Sequence, residues 1–367
     1  MFIKKLSLKN LRNYDSLNLE FKKNINIIIG NNAQGKTSLV ESLYALSTTK
    51  SHRTNKDVQM IKFEEDFLRI VADVQSDGDF EVTLAISKDG KKASLNGVVK
   101  KKLTDFIGEL KVVFFAPEDL EIVKGAPNIR RKFLNMEIGQ IDRTYLHHLS
   151  QYSKIIKQRN ELLKKFQEND ESNLMLEVFT KQLLPHVVYI VNKRIWFLKA
   201  LVILTCDMHA KITSGLEKIS FEYLDSMKLD SIDEKTIFEK YENTFSIDKR
   251  LKTTTIGPHR DDFYIFINDV NTHRFASQGQ QRTSVLSIRL AQTLLVKEVT
   301  GVYPVLLLDD VLSELDDSRQ TKLLDVVGDR IQTFITTTSI NGIDKKIIDL
   351  ASVFRVDNAL IQVEMGD

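Results

Sequence analysis

One cysteine, Cys206, stands among 367 residues. A single thiol excludes an internal disulfide and any zinc site built on cysteine. No uncharged apolar run approaches the ~20 residues of a membrane helix. The longest candidate, Ile195 to Cys206, is short and carries Lys199. The start, MFIKKLSLKNLRNY, lacks the apolar core of a secretory signal. A large charge of one sign is missing too: 52 Lys+Arg face 50 Asp+Glu, a net charge of +2. That argues against a small, strongly basic DNA-coating protein, while a local basic patch remains compatible. Repeats and low-complexity tracts are absent. What is present is an ordinary globular composition, 42% hydrophobic and 28% charged. The length suits two or three units at roughly 100–200 residues each. The reading is a soluble protein of a reducing compartment.

Along the chain, β-rich, helical and α/β character follow one another. FIKKLSLKNL and LNLEF alternate as strands, and INIII at 25–29 reads as a buried strand ending at Gly30. A helix is expected from Gly35 to Leu46. FLRIVADV, DFEVTLAI and KKASL read as a meander, and KVVFFAP as a further buried strand stopped by Pro117. From Tyr145 the apolar spacing turns helical through Tyr152, Ile156, Leu163 and Phe166. A second helical stretch runs from about Leu174 to Ile212, with Pro185 forcing a kink or a break. NDES at 169–172 would connect the two as an antiparallel lobe. Strands are expected again at 262–268, 304–310, 331–335 and 353–356, with helices at 280–299 and 317–328. The outer parts therefore read as one discontinuous α/β domain, 1–120 with 251–367, interrupted by a helical lobe at 121–250.

Residues 30–37, GNNAQGKT, match G-x-x-x-x-G-K-[ST]. The glycines let backbone N–H groups approach a phosphate, Lys36 would reach the β- and γ-phosphates, and the Thr37 hydroxyl would hold Mg²⁺. A chance match in a chain this long is about a one-per-cent event. The preceding buried strand and following helix fit the phosphate loop. VLLLDDVLSELD at 305–316 is a second signal: two carboxylates leave the C-terminal end of a buried strand, where α/β ligands bind. Asp309 would hold Mg²⁺, directly or through water. Asp310 would orient or deprotonate an attacking water. Alone, this stretch reads equally well as a strand before a solvated turn. SQGQQR at 277–282 precedes a helix, and alone it reads as an N-cap.

The three motifs in this order resemble the ABC-type ATPases, and Asn32 points to their SMC-like branch. More narrowly, LKNLRNY at 8–14, the stretches at 24–53 and 112–135, IGPHRDDF at 256–263 and SQGQQRTSVLSIRLAQ at 277–292 are similar to the RecF family of bacterial DNA replication and repair proteins. That resemblance implies an ABC-type P-loop ATPase head with an antiparallel β-subdomain and a short helical arm, without a long coiled coil. It implies ATP cradled by Gly30, Asn31, Asn32, Ala33, Gln34, Gly35, Lys36, Thr37 and Ser38. Ser277, Gly279 and Gln280 of a second copy would close on the γ-phosphate in a homodimer formed with ATP. Ser313 to Asp316 would lie at the same interface, and Arg12 and Asn13 near the base or sugar. A switch histidine is missing from ITTTS at 335–339; Thr337 or Thr338 would offer a hydroxyl, fitting slow hydrolysis. Asn135 stands where the family pattern expects Asp. The resemblance also implies DNA as partner, single- and double-stranded and gapped. RecR, with RecO and RecA, would be protein partners, no membrane would be involved, and the cell compartment would be the cytoplasm, at the nucleoid.

Ten Lys/Arg against three Asp/Glu lie between Lys124 and Lys165, with a second basic cluster near Lys101 and Lys102. Arg130, Arg131, Lys132, Lys101 and Lys102 are the candidate DNA contacts, made to phosphates without base reading. In IGPHRDD, a structural Arg260–Asp261 ion pair is preferred to a catalytic His259. A transporter nucleotide-binding subunit would carry its signature closer behind the phosphate loop. A chromosome-architecture protein would need long heptads. The signature loop disfavours a small-molecule kinase.

Overall fold

The computed structural model describes residues 1–364 apart from 169, 313–314, 329 and 341–342. Strands and helices are numbered along the chain. The first stretch holds β1 (Phe2–Leu11), β2 (Tyr14–Glu20), β3 (Ile25–Ile29), α1 (Lys36–Thr48), β4 (Phe67–Gln75), β5 (Asp79–Ser87), β6 (Gly90–Leu95), β7 (Val98–Val99) and β8 (Val112–Phe115). The middle holds α2 (Glu121–Lys124), α3 (Pro127–Ile141), α4 (Arg143–Lys164), α5 (Asp170–Thr213), β9 (Ile219–Leu224), α6 (Glu234–Leu251), β10 (Asp262–Ile267), β11 (Val270–Asn271) and α7 (Thr272–Phe275). The remainder holds α8 (Gln278–Thr300), β12 (Val305–Asp309), α9 (Asp317–Val327), β13 (Thr333–Thr337), α10 (Lys345–Leu350), β14 (Ala351–Asp357) and β15 (Leu360–Glu364).

Two compact units result. The first comprises Met1–Asp119, Asp207–Leu216 and Thr283–Asp367. It contains two six-stranded sheets. One is antiparallel, in the order β2-β1-β4-β5-β6-β7. The other runs β15-β14-β3-β13-β12-β8, with parallel pairing from β14 across to β8 and an antiparallel edge at β15. β3, β12 and β13 are buried at every position, as continuous apolar or small-residue runs require inside a parallel sheet. β13 starts two residues later than the apolar pattern suggested, because Thr333 pairs with Ile25 and Thr336 with Asp309.

The second unit comprises Leu120–Cys206 and Glu217–Arg282. Its boundary at 282 lies beyond the 250 drawn from sequence, because β10 pairs along its whole length with β9. α5 is one helix of 44 residues, and Pro185 does not break it. One lost amide bond is outweighed by a buried stripe including Leu183, Val187, Ile190, Val191, Phe197 and Leu201. The connection lies earlier than the 169–172 expected, since α4 ends at Lys164 and α5 begins at Asp170; Asn169 lies outside the described residues. α4 and α5 are antiparallel: Asp142 meets Tyr189, His148 meets His186, and Arg159 meets Thr180.

Candidate functional site

The phosphate loop leaves the C-terminal end of β3 and hooks onto the neighbouring strand, Gly30 N–H donating to the Thr337 carbonyl at 3.3 Å. A Cβ on Gly30 would sit 2.3 Å from the Val356 carbonyl oxygen, so only glycine fits. Ala33 and Gly35 are left-handed, with φ of 66° and 117°. A Cβ on Gly35 would meet the Tyr14 hydroxyl at 2.7 Å. Left-handed residues in such a loop allow successive backbone N–H groups to turn toward an anion. α1 follows with no side-chain cap and no acidic residue in its first turn, so its positive end stays available to an anion. Lys36 Nζ donates to the Gly30 and Asn31 carbonyls at 2.7 and 2.9 Å, held across the loop it would serve. Burial lowers its pKa, opposed by Asp310 and Asp309.

Those carboxylates leave the end of β12, two strands away from β3 with β13 between. Asp309 is buried and accepts from the Thr37 hydroxyl at 3.2 Å and the Thr336 hydroxyl at 2.5 Å. Burial pushes its carboxyl pKa up; the two hydroxyls oppose the shift, and Glu118 and Asp310 add to it. A buried carboxylate beside a threonine hydroxyl is the hard-oxygen set that Mg²⁺ takes, and a cation there would relieve the unfavourable charge. Asp310 is exposed and left-handed at φ 55°, its N–H donating to Thr336 Oγ1 at 2.9 Å.

Thr336, which sequence reasoning passed over, is therefore the hydroxyl that joins both acids. Thr337 instead closes a local turn with Ser339: its hydroxyl donates to that carbonyl at 2.8 Å. Alternation along β13 decides which of two adjacent threonines faces β12's end, and three consecutive threonines conceal that phase.

Arg12, expected near the base or sugar, is held against α1. Its guanidinium is bidentate on Glu41 of α1, at 2.7 and 2.9 Å, and also donates to the Gln59 carbonyl. Glu41 has a fully buried side chain and also accepts from Ser51. Arg12 and Ser51 hold its pKa down against burial. Asn13 donates to the Gln34 carbonyl at 3.2 Å. Gln34 is gripped from the other side by the β14–β15 turn, where the Asn358 and Ala359 N–H groups donate to its side chain and carbonyl. Asp119, just after β8, pairs with Arg289 of α8 at 2.7 Å.

The signature segment begins α8. Ser277 Oγ accepts from the Gln280 N–H at 3.2 Å, and Gln280 Oε1 accepts from the Ser277 N–H at 3.0 Å. This reciprocal pair is a capping box. Ser277 and Gly279 are exposed at this helix start. Of the interface residues expected at 313–316, Ser313 and Glu314 lie outside the described residues; Asp316 pairs with Arg319 at 2.7 Å.

Three expectations for the second unit need correction. Arg130 is 3% exposed and bidentate on Asp262 at 2.7 and 2.8 Å, so it is a core ion pair and not a DNA contact. Arg131 is half-buried and donates to the Asp261 carbonyl. Of the proposed cations, Lys132, Lys101 and Lys102 are exposed. Asp261 does not pair with Arg260. It accepts from Tyr223 and Ser226 at 2.5 and 2.8 Å, with Arg194 at 3.8 Å, while Arg260 turns to the Thr254 carbonyl. Asn135 Oδ1 accepts from Tyr145 and Arg194, a structural duty that a neutral amide performs. His259 bonds Tyr152 at 2.6 Å, and burial lowers its pKa to about 4. Gly257 beside it is left-handed and abuts the Tyr152 and Tyr241 hydroxyls.

The family model described as RecF/RecN/SMC N terminal domain matches residues 2–362. Proteins named DNA replication and repair protein RecF from Bacillus thuringiensis (strain Al Hakam) and Bacillus cereus (strain B4264) are each 46% identical over 372 residues, covering 100% of this chain and 99% of theirs. The chain belongs to the RecF family. Two solved structures of the recombination mediator protein RecF in the RecFOR pathway, RecF-ATPrS and RecF-ATP, superpose with TM-scores of 0.90 and 0.91 at 33% and 32% identity. Both cover 99% of this chain and 98% of theirs. An Smc head domain from Pyrococcus furiosus shares the fold at TM-score 0.55 and 15% identity, over 99% of this chain and 96% of that one. RecF-family membership accounts for the mixed α/β architecture, its antiparallel sheet and its helical lobe. No helix among the described residues is long and apolar enough to cross a membrane.

Proposed function

We propose that this chain is an ATP-operated DNA-binding switch of recombinational repair and replication. The observation that carries the proposal is the meeting of Lys36, Thr37, Asp309 and Asp310 at the C-terminal ends of β3 and β12. Loop N–H groups and Lys36 bind the phosphates. Thr37 and Asp309 would hold Mg²⁺, which would draw negative charge off the β- and γ-phosphates. Asp310 orients a water, and the Thr336 hydroxyl holds the Asp309 carboxylate and the Asp310 backbone N–H. With no histidine in ITTTS, hydrolysis is slow: a timer more than a motor. Ser277, Gly279 and Gln280 of a second copy complete the site, so ATP joins two subunits and its hydrolysis releases them. DNA at gaps or single-strand/double-strand junctions is the substrate surface, with RecR and RecO as partners in loading RecA at the nucleoid.

Lys36→Met should abolish ATP binding and ATP-driven dimerisation. Light scattering with and without ATP reads both. A mutant that still dimerises with ATP overturns the proposal.

A further inference from the structure

The basic stretch from Lys124 to Lys165 changes meaning once its cations are placed. Arg130 and Arg159 are internal, paired with Asp262 and Asp248. What remains is concentrated on α4, a helix of 22 residues. At 100° per residue its buried positions, Tyr145, Tyr152, Ile156, Arg159 and Leu163, fall within about 60° of arc. Arg143, Lys154, Lys157 and Lys164, with Lys165 at the C-cap, fall within about 100° on the opposite side, and all are exposed. One acid, Glu161, shares that side, and it pairs with Lys164 at 2.8 Å. Among the described residues the side chains of Lys154, Lys157 and Lys165 make no ion pair or hydrogen bond.

We propose that the solvent face of α4 is a phosphate-contacting surface for double-stranded DNA. The row carries no large exposed apolar side chain, so it lacks the apolar core a protein interface needs. It carries no aromatic platform apart from His147, so it lacks the stacking on which single-strand binding rests. A straight row of cations about 33 Å long matches about one turn of duplex. Such contacts neutralise phosphates and read no bases. This inference rests on the DNA-binding reading above and locates one of its surfaces.

The test is a triple variant, Lys154→Ala, Lys157→Ala and Lys165→Ala, titrated against a labelled duplex with ATP by fluorescence anisotropy across salt concentrations. Each lost phosphate contact should flatten the slope of log K against log salt by about 0.9, about 2.7 in all. Affinity near physiological salt should fall roughly 100-fold. Glu161→Gln should tighten binding, which a folding defect would not do. Nucleotide affinity should stay at the wild-type value in both variants. Unchanged duplex affinity and slope in the triple variant overturn this inference alone. So does a loss confined to single strands, or unchanged duplex binding with lost binding of polyglutamate, which would assign the face to an acidic protein. Wild-type chain that binds no DNA in any nucleotide state overturns the DNA-binding reading and this surface with it.

Discussion

Replacing Arg130 by alanine should unfold the second unit at a lower temperature without touching a DNA contact. The side chain is 3% exposed, and each of its three guanidinium nitrogens donates internally. Nε and Nη2 reach the two oxygens of Asp262, and Nη1 reaches the Gly125 carbonyl at 2.7 Å. Alanine would strand the Asp262 carboxylate, whose side chain is 11% exposed, without its counter-charge. Breaking a buried pair from one side costs about 3–5 kcal/mol. For a unit of roughly 150 residues, Leu120–Cys206 with Glu217–Arg282, that corresponds to a drop in Tm of about 6–20 °C. Differential scanning calorimetry measures it, and anisotropy well below the transition measures duplex affinity in the same samples. The double variant Arg130→Met, Asp262→Leu should recover much of the loss, because it removes both charges at once. The reasoning fails if Arg130→Ala keeps the wild-type transition while losing DNA: Arg130 would then be a surface contact after all.

Further outcomes follow from the charges at the two sites. Asp309 is a buried carboxylate with a raised pKa, so its ionised form opposes folding above its ordinary titration range, and the opposition fades as pH falls. Asp309→Asn should therefore raise the Tm at neutral pH without Mg²⁺ and nucleotide, and abolish the stabilisation they confer; thermal shift with and without MgATP checks both. Asp310→Asn should keep ATP binding, lose turnover and prolong the ATP-bound dimer; wild-type phosphate release would show that another group positions the water. His259 stays neutral down to about pH 4 when folded but takes a proton near 6.5 when unfolded, so its contribution to stability is lost as pH falls through that window. His259→Gln should flatten urea-measured stability between pH 6.5 and 4.

Much of the fold was legible before any coordinates. INIII and VLLLD are uninterrupted apolar runs, and such runs need burial on both faces. GNNAQGKT is a local backbone device, so its residues act where they stand in sequence. Illegible were partners distant along the chain. No motif in the sequence points to Glu41, a helix residue that Arg12 reaches from the β1–β2 turn. Arg130 and Lys132 are neighbours in one basic run, yet helical rotation sends one into the core and leaves the other in water.

Composition, periodicity and motif order by themselves determined a P-loop ATPase interrupted by a helical lobe. They did so because phosphate binding and strand burial are written in short, contiguous runs. Only the tertiary structure decided which cations are free, which threonine serves the acids and which acid holds which arginine. Those questions turn on the direction of single side chains, and direction is set by neighbours brought together from elsewhere in the chain, more than a hundred residues away for Arg130 and Asp262 or Thr37 and Asp309.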